Sequence, residues 1–272
     1  VWPAGAAHAA DGIRWGNSLT AAMAQAKKTN KLIMVDFYTD WCGYCKKLDA
    51  ETYTDPAVIQ EAAKVIPLKL DAEREGKSLA QRLRPHGFPS IYFLNSKGEV
   101  EGFIGGFEPA ARFLGDMKDV VQLHRDLPVM QSRLQANPND LPLAGKLTAI
   151  YAGLGKHKQA SETLTLVNRL DPDSSKGFRT RSTLAVARMW IDANQADQAV
   201  PLIRQATQTA RNPEERAVAH INLAMCYGAM NNINAAETEL NTTIRLPNCP
   251  DNVKQAAQQF LSRIQQYKSQ GH

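Results

Sequence analysis

The chain has 272 residues, 43% of them hydrophobic and 22% charged, with a net charge of +5 and a pI near 9.0. That length suits two ordinary domains. The basic residues are scattered among acids, with no basic stripe or interleaved aromatics, which argues against nucleic-acid binding. No apolar run is long enough to cross a bilayer.

Residues 1–12 stand apart. Ala4–Ala10 is small and apolar, and Ala7-His8-Ala9 has the small-x-small form of a signal-peptidase site. This segment reads as the remnant of an export signal or as a disordered extension. Ordered structure begins near Ile13. Asn17 and Ser18 can cap a helix carrying Leu19, Met23 and Ala26 on one face. Leu32–Tyr38 reads as a strand, apolar apart from Asp36, and Cys42-Gly43-Tyr44-Cys45 follows at once. Helix is expected over Lys46–Glu51. Thr54-Asp55-Pro56 starts another, with proline at the first helical position. Val65–Leu70 is a second strand, Ser78–Leu83 a short helix and Ser90–Leu94 a third strand. Ser96-Lys97-Gly98 turns the chain into Glu99–Ile104, and a helix from Pro109 to about His124 closes an α/β unit.

From Leu127 the composition shifts to Ala, Gln, Asn and Leu at helical spacing. Three sets of positions repeat: Leu147, Tyr151, Gly155, Ala160 and Val167; Val186, Trp190, Asn194, Ala199 and Ala206; Leu223, Tyr227, Asn231, Ala236 and Thr243. Within each set the steps are four, four, five and seven residues. Each set predicts a helix, a tight turn at Gly155, Asn194 or Asn231, and an antiparallel helix whose small residue permits a close crossing. Extra residues at Ser174–Arg179 and Arg211–Glu215 must lengthen loops or helices between units. Asp251–Tyr267 reads as a terminal covering helix.

Two cysteines three positions apart serve zinc sites and redox sites alike. Structural zinc needs four ligands, yet the remaining cysteines, Cys226 and Cys249, lie in the helical region and no histidine pair has ligand spacing. No metal is therefore expected. A pair that follows a buried strand and opens a helix favours redox chemistry. There Cys42 meets unpaired N–H groups that stabilise a thiolate, and Cys45, one turn inside, can resolve a mixed disulfide. No bond is expected between Cys226 and Cys249, which helix geometry separates by on the order of 20 Å.

Val35-Asp36-Phe37, Trp41 through Lys46, and Phe88-Pro89 together resemble the thioredoxin fold. The longer string Trp41–Val58 is similar to exported thioredoxin-like reductases, including the C-terminal domain of envelope membrane thiol reductases. The helical region resembles tetratricopeptide repeats. The expected architecture is an α/β thioredoxin-like domain over 13–126, then an all-α tetratricopeptide-repeat-like array over 127–272. The resemblance implies that Cys42 is the nucleophile, Cys45 the resolving thiol and Asp36 a buried carboxylate relaying the resolving proton. It also implies that Pro89 is a cis-proline facing the disulfide, and that Trp41, Gly43, Tyr44 and Phe88 join it in contacting substrate. Lys69 falls near the position of a lysine beside that carboxylate, in a register uncertain by a residue or two. No cofactor is implied beyond the redox-active disulfide Cys42–Cys45.

The implied function is a thiol–disulfide oxidoreductase, a reductase or electron carrier in the periplasm or another exported location. Its partners would be a protein carrying a disulfide or thiols, an upstream redox protein, and a protein or peptide on the helical array. Cytosolic thioredoxin–tetratricopeptide co-chaperones share this domain order. A holdase for unfolding clients is thus the alternative. Tyr44 stands where thioredoxin has proline, and no histidine lies between the cysteines; with Asp36 and Asp40 nearby, a reducing couple is expected.

Overall fold

The computed structural model describes residues 12–269. The expected signal remnant therefore lies, but for Gly12, outside the described residues. The chain divides after Val129 into two compact units.

The first unit is built on a four-stranded mixed sheet of order β2-β1-β3-β4, with β1 Ile33–Tyr38, β2 Ile66–Asp71, β3 Ser90–Leu94 and β4 Val100–Gly105. β1 runs parallel to β2 and antiparallel to β3, and β4 completes a hairpin with β3. Side chains of β1 alternate between the two faces. Ile33, Val35 and Phe37 pack with Ala22 and Ala26 of α1 (Leu19–Thr29) and Leu79 and Ala80 of α4 (Lys77–Leu83). Leu32 and Met34 pack on the other face with Leu48, Tyr53, Val58, Phe113 and Met117. Leu48 opens the π-turn Leu48–Thr52 that extends α2 (Gly43–Lys47), Tyr53 follows that turn, Val58 comes from α3 (Pro56–Ala62), and Phe113 and Met117 come from α5 (Ala110–Ala136). The caps agree with the local chemistry. Ser18 accepts from the Ala21 N–H, and Asp55 accepts from the Ala57 and Val58 N–H groups ahead of Pro56.

One helix differs from expectation. α5 does not stop near His124 but runs to Ala136 with Pro128 inside it. The buried stripe Phe113, Met117, Val121, Leu127, Met130 continues at helical spacing through the proline. Pro128 itself is exposed. The division after Val129 thus falls within a helix.

The second unit consists of helical hairpins: α6 (Leu141–Gly153) with α7 (His157–Leu170), α8 (Phe178–Asp192) with α9 (Ala196–Thr209), and α10 (Pro213–Ala229) with α11 (Ile233–Arg245), followed by α12 (Asp251–Ser269). The three turns share one construction. Gly155, Asn194 and Asn231 are left-handed, with φ of 63°, 57° and 57°. The N–H groups of Lys156, Gln195 and Asn232 donate to the carbonyls of Tyr151, Trp190 and Tyr227 at 2.8, 2.8 and 2.7 Å. This is a Schellman closure, which requires a residue tolerant of positive φ, hence Gly or Asn. The small residues Ala160, Ala199 and Ala236 are fully buried, as a close helix crossing demands. Much of the extra length between units enters the first helices, since α8 and α10 have 15 and 17 residues against 13 in α6. Cys226 and Cys249 are free thiols, and burial pushes Cys226 up to about 11.

Candidate active site

The site forms where β1 ends and α2 begins. The Cys42 N–H donates to the Thr39 carbonyl at 3.1 Å, which turns the chain directly after the strand. Cys42 keeps an extended backbone and caps α2, its Sγ accepting the Cys45 N–H at 3.0 Å. Cys42 and Cys45 are joined as a disulfide with an S–S distance of 2.10 Å, and both are buried. On reduction the same N–H is placed to stabilise a Cys42 thiolate.

Aromatic side chains flank this disulfide. Trp41 is 68% exposed and Tyr44 65%, high values for such large apolar groups. The Trp41 indole packs edge-on against Phe88 at 6.1 Å, and its N–H donates to Glu73 at 3.1 Å. Tyr44 lies 6.5 Å from Phe107, over whose ring Lys47 sits at 4.4 Å. Gly43 is exposed, and a Cβ there would meet nothing within 4 Å. The Phe88–Pro89 peptide bond is cis, and the Pro89 carbonyl accepts the Gly106 N–H at 2.9 Å. Glu73 and Phe107 were not singled out from the sequence. They lie far along the chain from the cysteines, and only the fold brings them to these aromatics.

On the strand that leads to the pair, Asp36 is 1% exposed. It sits directly opposite Lys69 in the parallel β1–β2 register, with Lys69 Nζ 3.4 Å from its Oδ2. The uncertain register of Lys69 is thereby resolved: it partners the carboxylate. Its ammonium also pairs with Asp49 and lies 5.6, 5.3 and 5.6 Å from the ring centres of Trp15, Tyr38 and Tyr53. Two carboxylates therefore share one cation. Burial raises the Asp36 carboxyl to about 6, opposed by Lys69 and assisted by the charge of Asp49. The folded value lies above the unfolded one, so stability falls as pH rises from about 4 to about 6 and the buried group ionises. Asp40 forms an exposed ion pair with Arg74, whose guanidinium also lies 3.5 Å from Asp71. Among the described residues there is no cluster of three or more His, Cys, Asp or Glu that could hold a metal.

The sheet order and the helix that opens on a cysteine pair define a thioredoxin fold. Residues 19–120 match the family model of the thioredoxin-like domain, and the first unit of this chain is such a domain. The chain is 33% identical over 108 residues to the thiol:disulfide interchange protein DsbD of Salmonella typhimurium, across 38% of this chain and 19% of that protein. It is 36% identical over 94 residues to the Pasteurella multocida protein of the same name, across 33% and 16%. The chain thus spans less than a fifth of the length of these curated relatives. Among solved structures it is similar to the reduced C-terminal domain of Neisseria meningitidis DsbD. There the identity is 29% and the TM-score 0.34, over 37% of this chain and 92% of that one.

Proposed function

We propose that this chain is a protein-disulfide reductase or electron carrier of the cell envelope, whose helical unit, read as tetratricopeptide-like, offers a surface to a protein or peptide. The observation that carries the reading is a Cys42–Cys45 disulfide between exposed aromatics, with a buried Asp36, paired to Lys69 of the neighbouring strand, on the strand leading into it. In the reductive direction the Cys42 thiolate attacks a substrate disulfide and forms a mixed disulfide, releasing one substrate sulfur. Asp36 takes the proton of Cys45. The Cys45 thiolate then attacks Cys42 Sγ, the bond to substrate breaks, and its electron pair leaves on the second substrate sulfur. Two electrons have passed to the substrate. An upstream dithiol protein restores the Cys42 and Cys45 thiols. Trp41, Gly43, Tyr44, Phe88 and Pro89 form the surface against which the substrate segment lies.

The envelope placement rests on the string Trp41–Val58 and on Ala7-His8-Ala9. No helix among the described residues is long and apolar enough to cross a membrane. Cys45→Ser should accumulate mixed disulfides, because Cys42 stays joined to its substrate once the resolving thiol is gone. Mass spectrometry of adducts trapped in an envelope extract identifies the partners. Adducts formed only with cytosolic proteins of whole cells would overturn the envelope placement.

The couple should be reducing, at roughly −220 mV or below. Asp36 and Asp49 share the single cation Lys69, which leaves net negative charge that disfavours a Cys42 thiolate relative to the disulfide. Equilibration with a glutathione series, followed by Trp41 fluorescence, gives the value. A potential near about −120 mV would make the protein an oxidant instead.

One observation favours the holdase alternative. The helical unit has an open apolar cavity of about 530 Å³ lined by Ile221, Met225, Leu240, Phe260 and Ile264. Suppression of client aggregation by the Cys42→Ser protein, equal to that of wild type, would support that role independently of the redox pair.

A further inference from the structure

Two buried oxygens, one of them on the strand that leads to the redox pair, have no hydrogen-bond partner of ordinary geometry: Asp36 Oδ1 and Tyr53 Oη. Tyr53 is 4% exposed, so water does not readily satisfy its hydroxyl. A buried polar group left unpaired is destabilising, so each of these oxygens favours gaining a partner. The two oxygens belong to one neighbourhood. Asp36 follows Leu32 and Met34 in the alternation of β1, and those residues pack in the cluster that contains Tyr53. Lys69 touches both, at 3.4 Å from Asp36 Oδ2 and 5.6 Å from the Tyr53 ring centre. The phenol and the carboxylate also act directly on one another.

The surroundings hold the Tyr53 ring firmly. It packs at 5.0 Å from Trp15 and edge-on at 5.5 Å from Phe113. Its own N–H closes the π-turn by donating to the Leu48 carbonyl at 3.0 Å. Such turns inside helices recur at functional sites. Here the turn carries the helix that starts at Cys42 on to Asp49 and Tyr53, and both of these act on Asp36.

We propose that Tyr53 is a positioning residue for disulfide exchange: its hydroxyl closes onto Asp36 Oδ1 when that carboxylate is charged, and so limits how tightly Asp36 holds the proton it takes from Cys45. This rests on the roles given above to Cys42, Cys45 and Asp36. In the resolving step the Cys45 proton moves to Asp36, the Cys45 thiolate bonds to Cys42 Sγ, and the substrate thiolate departs. Tyr53 gives up no proton in this step. Burial and the charges of Asp36 and Asp49 hold its phenol well above the usual tyrosine value, so it serves as a donor only. A donor to the charged form makes a carboxylate less basic. The other groups acting on Asp36 are Lys69 of β2, which favours its charged form, and Asp49 of the π-turn, which opposes it. Tyr53→Phe leaves both in place and keeps the ring packing.

The test is a carbon-13 NMR titration of the Asp36 carboxyl in the oxidised full chain. Its midpoint, about 6 in wild type, should rise by roughly one pH unit in Tyr53→Phe. The pH midpoint for resolution of a preformed Cys42 mixed disulfide should rise with it. In an Asp36→Asn background, Tyr53→Phe should leave that profile unmoved. A titration midpoint identical in wild type and Tyr53→Phe overturns the proposal, even if the protein reduces disulfides normally. A shifted midpoint in a protein inert toward protein disulfides sinks the functional reading and leaves the coupling of Tyr53 to Asp36 standing.

Discussion

Replacing Cys42 by Ser should abolish reduction of protein disulfides, a loss on the order of 10⁴-fold or more, as removal of a covalent nucleophile produces elsewhere. A thiolate attacks a disulfide sulfur whereas a serine hydroxyl stays protonated and forms no mixed disulfide. The geometry singles out Cys42 because it caps α2, its sulfur receives the Cys45 N–H at 3.0 Å, and the exposed Trp41 adjoins it. Cys45 lies inside the helix, which suits the resolving role. The substitution is nearly isosteric and keeps a side-chain oxygen able to cap α2, so far-ultraviolet circular dichroism should match wild type. Insulin reduction driven by a small dithiol measures the effect. Equal rates for Cys42→Ser and wild type would remove the basis for reading this chain as an oxidoreductase.

The second large effect lies in the helical unit. Asp171→Ala should destabilise it by about 3 kcal/mol, lowering its melting temperature by roughly 10 °C. α8 starts after Gly177, which has no side chain to cap it. Asp171, 1% exposed, supplies the missing acceptor. Its carboxylate receives the N–H groups of Lys176 at 3.0 Å, Phe178 at 2.9 Å and Arg179 at 3.1 Å. Truncation to alanine strands these donors in a part-buried site. Burial by itself raises the Asp171 carboxyl, but the three backbone donors outweigh it and hold it below the usual aspartate value of 3.8. Its contribution is therefore fully present above that value and disappears as pH falls through the lowered folded one. Thermal melts of wild type and Asp171→Asn should differ clearly at neutral pH and draw together as acid protonates Asp171. Coincident melts at neutral pH would show that the carboxylate does not hold the start of α8.

Much of this protein was legible along the chain because the signals are local. A buried strand running into Cys42-Gly43-Tyr44-Cys45 needs only neighbouring residues to specify its turn. The three hairpins are written in the same way: Gly155, Asn194 and Asn231 stand where a helix must close through positive φ, and Ala160, Ala199 and Ala236 follow where helices cross. The end expected for α5 near His124 falls short because the composition changes near Leu127 while the helix runs on to Ala136. A helix-interior proline forfeits one backbone hydrogen bond, and α5 continues through it with Leu127 and Met130 buried on either side in sequence.

The electrostatics of the site belong to tertiary structure. Lys69 could be placed beside Asp36 only once the β1–β2 register was known, since a one-residue slip would turn it to the other face. The same holds for Asp49, drawn to that lysine, for Arg74, which pairs with Asp40, and for Glu73 and Phe107, which hold the aromatics. The sequence by itself determined which atoms can exchange electrons and which segments can be strand, helix or turn. The sheet order and the packing of α2 and its π-turn against β1 decided which charges and hydroxyls surround those atoms. Such neighbours are set by contacts between residues distant in the chain, and no local periodicity encodes them.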